Sequence, residues 1–160
     1  MKEKSSESNE GMQLVIFRVG EEEFGVEITK VKEIIRLQEI TRVPKAPPFV
    51  EGVINLRGRI VPVIDLRKRL GWQAKEPDKK ARIIVAENHG HLTGLIVDAV
   101  TEVLRVPEKT AEFPSTLSTG VNRRFIRAIG ILGERLIIML DMDHVLNLEE
   151  EHQLAASVVS

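Results

Sequence analysis

The sequence predicts a mainly β protein built as two small β-barrels or sandwiches packed on one another. Three observations carry that expectation. Short apolar runs recur along the 160-residue chain, broken about every ten residues by turn signals, as in small barrels and sandwiches. The second half repeats the pattern of the first. One stretch, residues 52–71 (GVINLRGRIVPVIDLRKRLG), reads as a complete hairpin followed by a short helix.

In that stretch Val53-Ile54 opens an apolar run, Asn55-Leu56-Arg57-Gly58 breaks it, and residues 60–64 resume it. Two such runs around a short segment containing glycine form a hairpin, and Gly58 supplies the backbone freedom of its turn. The unbroken run 60–64 predicts a strand covered on both faces. Pro62 cannot donate to a ladder, so one side of that strand should be an edge or a bulge. Asp65 is placed to cap a short helix over residues 66–70 that stops at Gly71. Arg57 is left at the hairpin tip.

Upstream, residues 14–19 and 24–28 read as strands around the turn 20–23. Thr29 then caps a short helix in which Val31, Ile34 and Ile35 share an apolar face. Residues 37–43 are mixed and extended, and Pro44, Pro47 and Pro48 force a loop before Phe49. Residues 73–80, QAKEPDKK, are a polar linker. Beyond it, 82–86 and 91–97 are strands around the turn 87–90, and Asp98 caps a helix bearing Val100, Val103 and Leu104.

At an offset of 69 residues Gly25 matches Gly94, Val31 matches Val100, Glu33 matches Glu102 and Ile34 matches Val103. A long connection, 107–124, interrupts the match. At an offset of 76 it resumes with Phe49 and Phe125, Leu56 and Leu132, Asp65 and Asp141, Leu70 and Leu146. The pattern is a duplication of strand–strand–helix–loop–hairpin–helix, over about 14–71 and 83–147. Four or five strands are too few to bury their own apolar faces. The copies should therefore share a hydrophobic seam, with a groove between them of the kind partners use. The domain spans 13–148, between a disordered tail at 1–12 and a C-terminal tail or short helix at 149–160.

Composition narrows the function. A net charge of −1, from 23 basic and 24 acidic residues, gives no bulk field toward nucleic acid or an anionic membrane. The absence of cysteine excludes disulfides, thiol catalysis and thiolate metal sites. No apolar run approaches 18 residues, and the N-terminus lacks the apolar core of a signal peptide, so a cytoplasmic protein is expected. There is no GxSxG, Walker-type phosphate loop or HExxH. Gly130-Ile131-Leu132-Gly133 lies inside a hairpin, not at a strand-to-helix turn, and is no dinucleotide fingerprint. Neither enzyme chemistry nor a cofactor is expected.

Among candidate site residues, Asp141-Met142-Asp143-His144 resembles a string of metal ligands. Asp141 aligns with Asp65, however, so helix capping explains it better than metal. Arg57, Arg59, Arg67, Lys68 and Arg69, with Arg123, Arg124 and Arg127, are the cluster a single-strand nucleic-acid binder would show. Such binders stack bases on aromatic side chains, and this chain has no Tyr, one Trp and five Phe. Arg57 is set apart by the repeat, because it faces Gly133 in the second copy. The hairpin forms without an arginine there, which marks Arg57 for function, against the plain reading of a solvated turn residue. Glu33 has an acidic counterpart in Glu102, so a helix-face carboxylate competes with a functional one.

The runs Thr41-Arg42-Val43-Pro44, residues 47–58 (PPFVEGVINLRG) and residues 60–66 (IVPVIDL) resemble the signature of the bacterial chemotaxis coupling family CheW. Phe24-Gly25-Val26, Val31-Lys32-Glu33-Ile34 and residues 94–100 (GLIVDAV) fit the same family, and the likeness runs from about residue 14 to 148. It implies two interleaved five-stranded SH3-like or OB-like barrels with a few short helices. It implies a non-catalytic adaptor between the cytoplasmic tips of chemoreceptors and the regulatory domain of the histidine kinase CheA, in arrays beside the membrane. By matching positions, Arg57 and Glu33 would meet the receptor, with Val31, Ile34 and Gly52 in the same segments. For the kinase, the surface Ile40, Thr41, Arg42 and Val43 is the expected contact.

Overall fold

The computed structural model describes residues 11–107, 111–112 and 120–147. The expected tails lie outside these residues except for Gly11 and Met12, which open the first strand, as does most of the connection 107–124.

Eleven strands, two one-turn α-helices and two 3-10 turns (Ile28–Lys30 and Arg123–Phe125) follow in order among the described residues. The first copy gives β1 (Gly11–Val19), β2 (Glu22–Glu27), β3 (Val31–Arg36), β4 (Val50–Leu56), β5 (Arg59–Asp65) and α1 (Leu66–Arg69). The second gives β6 (Arg82–Asn88), β7 (His91–Val97), β8 (Ala99–Pro107), the two-residue β9 (Ala111–Glu112), β10 (Ile126–Leu132), β11 (Arg135–Leu140) and α2 (Met142–Val145).

One sheet has the order β8-β1-β2-β11-β10-β9 and the other β3-β6-β7-β5-β4. The sequence repeat turns the second order into the first five strands of the other, with β1 matching β6, β2 matching β7, β3 matching β8, β4 matching β10 and β5 matching β11. Each sheet therefore takes a hairpin from one copy and three matched strands from its twin, to which the six-stranded sheet adds β9. The copies join through parallel pairs, β2 with β11 and β5 with β7. The fold is mainly β, and its two halves are interleaved by strand exchange.

Each sheet curls until its ends meet. β8 and β9 are consecutive in the chain but lie at opposite ends of one sheet. In the other, the chain leaves β3 and Thr41 bridges to Val53 on the outer edge of β4, with N–H···O distances of 2.9 and 2.8 Å. Gly52 makes that approach possible. Its φ is +148°, and a Cβ there would overlap the Thr41 carbonyl.

A shared core holds the halves together. Phe17, Phe24 and Val26 from one sheet, and Ile64, Ile84 and Leu95 from the other, join Leu66 and Val145 of the helices in one buried cluster. Smaller cores lie within each curl, around Ile54, Val61 and Val85 and around Leu14, Ile16 and Ile137. Arg69 sits at the centre of the duplication, 7% exposed. Its guanidinium carbon lies 4.5 Å from the Phe49 ring centroid and 4.9 Å from that of Phe125, the matched phenylalanines of the two copies. The guanidinium also donates to the Val145 and His144 carbonyls at the end of α2, both at 2.9 Å.

Both Asp-capped helices form as expected. Asp65 accepts from the Arg67 amide, and Asp141 from the amides of Asp143 and His144. The other two expected helices do not form. Residues 31–36 are strand β3, with Val31, Glu33 and Ile35 half-buried and Lys32, Ile34 and Arg36 exposed, a period of two. Asp98 is followed by strand β8. Both segments are rich in Val, Ile and Thr, whose branching restricts χ1 in a helix and suits the pleated sheet. A spacing of i, i+3, i+4 cannot separate the two states over six residues. β5 corrects a further expectation: Ile60 is 65% exposed, so its N-terminal end is covered on one face only. Pro62 lies where β5 has β4 on one side and has not yet met β7, whose pairing begins at Val63.

Candidate functional site

The β4–β5 turn is built from two residues, Arg57 at φ +51° and Gly58 at φ +86°. Positive φ at both central positions defines the I′ geometry that matches strand twist. Asn55 tightens it by accepting the Gly58 amide at 2.8 Å. A glycine would hold the first position without strain. An arginine there costs on the order of 1 kcal/mol.

From this tip the guanidinium reaches across the end of the curled sheet to Glu33 on β3. Arg57 Nη1 lies 3.4 Å from Glu33 Oε1, and Nη2 meets Oε2. The pair is two-pronged and open: the Arg57 side chain is 72% exposed and that of Glu33 27%. Hydrogen bonding to Glu33, and its charge, hold the guanidinium's pKa above its ordinary value. Beside the pair, Lys32 meets Glu87 at 2.8 Å, and a shallow depression runs over Leu56, Val85 and Leu92. The site is a charged fork standing above a partly apolar floor.

The structure brings Arg57 and Glu33 together but does not gather every expected contact residue around them. Val31 packs against the shared core, and Ile34, 39% exposed, points to the opposite side of β3 from Glu33. Gly52 is buried and serves the Thr41 bridge, so a partner would feel it only through the backbone. Of the second expected surface, Ile40 packs on the small core of its sheet, Thr41 is fixed by its bridge, and Arg42 and Val43 are exposed.

The basic cluster of the first hairpin forms no continuous track. Arg67 pairs with Asp98 at 2.8 Å, Lys68 with Glu51 at 2.7 Å, and Arg69 is buried. Burial pushes the Asp98 carboxyl up, but hydrogen bonds from Arg67 and the Gly20 amide outweigh it and leave the pKa lowered. For Asp65 burial is the larger effect, and its pKa is raised. Among the described residues no group of three or more His, Asp or Glu is placed to hold a metal ion.

The sequence reading missed Arg135 and took Arg69 for part of a basic surface cluster. Arg135 donates to Glu23 at 2.5 Å and to Glu102, the twin of Glu33, at 2.8 Å. The duplicated glutamate is thus met by an arginine in both halves, from opposite sides of the turn. The signal for Arg69 was its twin, the buried apolar Val145: a repeat position that is core in one copy should be core in the other.

A family model, the CheW-like domain, matches residues 13–150. The chain belongs to the CheW-like family. A CheW-like relative, the chemotaxis protein CheW of Rhizobium meliloti, is 38% identical over 89% of this chain and 92% of its own length. The chemotaxis protein CheW of Klebsiella aerogenes is also 38% identical, over 88% and 84%. Among solved structures, the CheW scaffolding protein of Thermoanaerobacter tengcongensis superposes with a TM-score of 0.80 at 38% identity, covering 86% of this chain and 93% of that one. No helix among the described residues of this CheW-like chain is long and apolar enough to cross a membrane.

Proposed function

We propose that this chain is a non-catalytic adaptor that couples the cytoplasmic tips of chemoreceptors to the histidine kinase CheA in arrays at the membrane. Family membership supports the role. Within the chain, one observation carries it: an arginine, in a backbone conformation that favours glycine, is held outward by a two-pronged carboxylate pair. Backbone strain kept at an exposed tip is the mark of a functional position.

The receptor tip, a helical hairpin, lays an apolar face on the floor beside β3 and the β4–β5 turn, a helix-in-groove contact. Arg57 turns its remaining donors to a carboxylate or to carbonyls of that helix, while Glu33 keeps the fork oriented. The kinase regulatory domain docks on the far edge of the same sheet, where Arg42 and Val43 stand out beyond the Thr41 bridge. Both contacts are of the modest size of transient signalling interfaces, on the order of 1,000–1,600 Å² or less.

The test is a binding isotherm of Arg57→Ala against a receptor-tip fragment, run beside a melting curve. If the pair is desolvated on docking, association weakens by about 2–5 kcal/mol with the melt unmoved. Unchanged binding overturns the receptor site. Arg42→Ala with Val43→Asp tests the kinase surface by co-purification: undiminished recovery of the kinase rules it out.

A further inference from the structure

The two parallel seams between the copies do not start at matching places. The β2–β11 ladder begins at Glu23 and Ile137. By the repeat its twin would begin at Leu92 and Val61, but the β5–β7 ladder begins only at Val63 and Gly94. Ahead of that point a groove lies between the two strands, lined by Arg59, Ile60, Pro62 and Leu92. The closed seam shows what fills the same place in the other half. There Arg135 grips Glu23 at 2.5 Å and Glu102 at 2.8 Å. The twin of Arg135 is Arg59, that of Glu102 is Glu33, and that of Glu23 is Leu92.

Arg59 therefore lacks both partners of its twin, because Glu33 is held by Arg57 and Leu92 carries no charge. Among the described residues it forms no ion pair. It acts on Glu87 through space, but that carboxylate is already bound to Lys32 at 2.8 Å. Asp143, the carboxylate on the groove's far wall, lies 3.5 Å from His89 Nε2. Arg59 is exposed and lines both this groove and the depression beneath Arg57. Next to it Ile60, at 65%, is the most exposed large apolar residue among those described. A guanidinium never loses its charge in a protein, and its planar fork matches a carboxylate.

We infer that Arg59 selects the partner by taking a carboxylate carried on the docking helix over Leu92, in the place that Glu23 fills beside Arg135. An apolar side chain of the same helix covers Ile60. The inference rests on the receptor docking proposed above, and it specifies the partner's chemistry: an acidic side chain beside an apolar one. Arg57, whose fork already holds Glu33, is left to carbonyls.

Binding isotherms of the full chain against a receptor-tip fragment test this, each beside a melting curve. Arg59→Ala weakens binding by about tenfold or more, and Arg59→Lys, which keeps the charge without the fork, by less. Leu92→Glu supplies the carboxylate of the closed seam from within and weakens binding more than Leu92→Gln, its uncharged control. Arg59→Glu abolishes binding, and one acidic residue of the fragment changed to lysine restores it. If Arg57→Ala weakens binding and Arg59→Ala does not, the inference falls and the receptor site stands. If neither variant weakens it, both fall. Equal losses in the two Leu92 variants, or no acidic-to-lysine change that restores Arg59→Glu, overturn the carboxylate.

Discussion

The β4–β5 and β10–β11 hairpins occupy matching places in the repeat and end differently. The second turns on Gly133 at φ +61°, and its arginine lies one step beyond the turn at position 135. There it is half-covered, gripped by Glu23 and Glu102. In the first, Arg59 stands where Arg135 does and is exposed, and a further arginine, Arg57, takes the turn itself, bears the left-handed backbone, and meets Glu33 in the open. Hydrogen bonds to Glu23 and Glu102 lift the pKa of Arg135 far above the ordinary value, and its donors are spent inside the molecule. Those of Arg57 are largely left over. The same pair of residue types serves the fold in one half and is offered to a partner in the other.

The sharpest way to break that comparison is to give the first hairpin a residue of the second. Ala128 stands where Gly52 does, a register shift occurs at both places, and β9 pairs with Ile129 as Thr41 pairs with Val53, but at Gly52 a Cβ would overlap the Thr41 carbonyl, whereas Ala128 carries one. Gly52→Ala should cost about 3 kcal/mol or more in denaturant unfolding, from overlap added to backbone strain. Ala128→Gly should cost under about 1 kcal/mol. Similar costs for both would mean that the close approach of the Thr41 carbonyl to Gly52 is not what sets the halves apart. Next comes Arg69→Met, which removes the cation held between Phe49 and Phe125 and leaves two carbonyls unanswered, for about 2–4 kcal/mol. No loss would show that packing alone joins the copies.

Arg135→Ala leaves two carboxylates facing each other and should lower the melting temperature slightly. Arg57→Gly, which restores the twin's residue, should leave the melting temperature unchanged or raise stability by up to about 1 kcal/mol while receptor binding is lost. A destabilised Arg57→Gly would place Arg57 among the residues that serve the fold. The smallest effect is in acid. A carboxyl whose folded pKa is lowered contributes stability above its unfolded value, about 3.9, and loses it as pH falls through the folded one. The Arg67–Asp98 pair behaves so, and Asp65, raised by burial, works in the opposite direction. Asp98→Asn should therefore flatten the acid limb of the stability–pH curve, and an unchanged limb would remove Asp98 from its causes.

The duplication, the Asp-capped helices and the hairpin with Arg57 at its tip were legible because each is local: a turn, a cap and a repeat are written in adjacent residues. β3 and β8 were misread because both a helical and a pleated reading fit so short a run, and the choice is made by β6 and β1, the distant strands beside them. The partnership of Arg57 with Glu33 was not legible, since only curling of the sheet brings β3 to the hairpin tip. Nor was Arg135, which looks like any exposed arginine until Glu23 arrives across the parallel β2–β11 seam. Arg69 could have been found, because its twin Val145 is apolar and a repeat preserves burial before it preserves residue type.

The exchange of strands ties the two copies into one cooperative unit. Each carries a hairpin for one sheet and at least three strands for the other, so neither completes a sheet by itself, and a piece cut at the linker 73–80 would leave both barrels open.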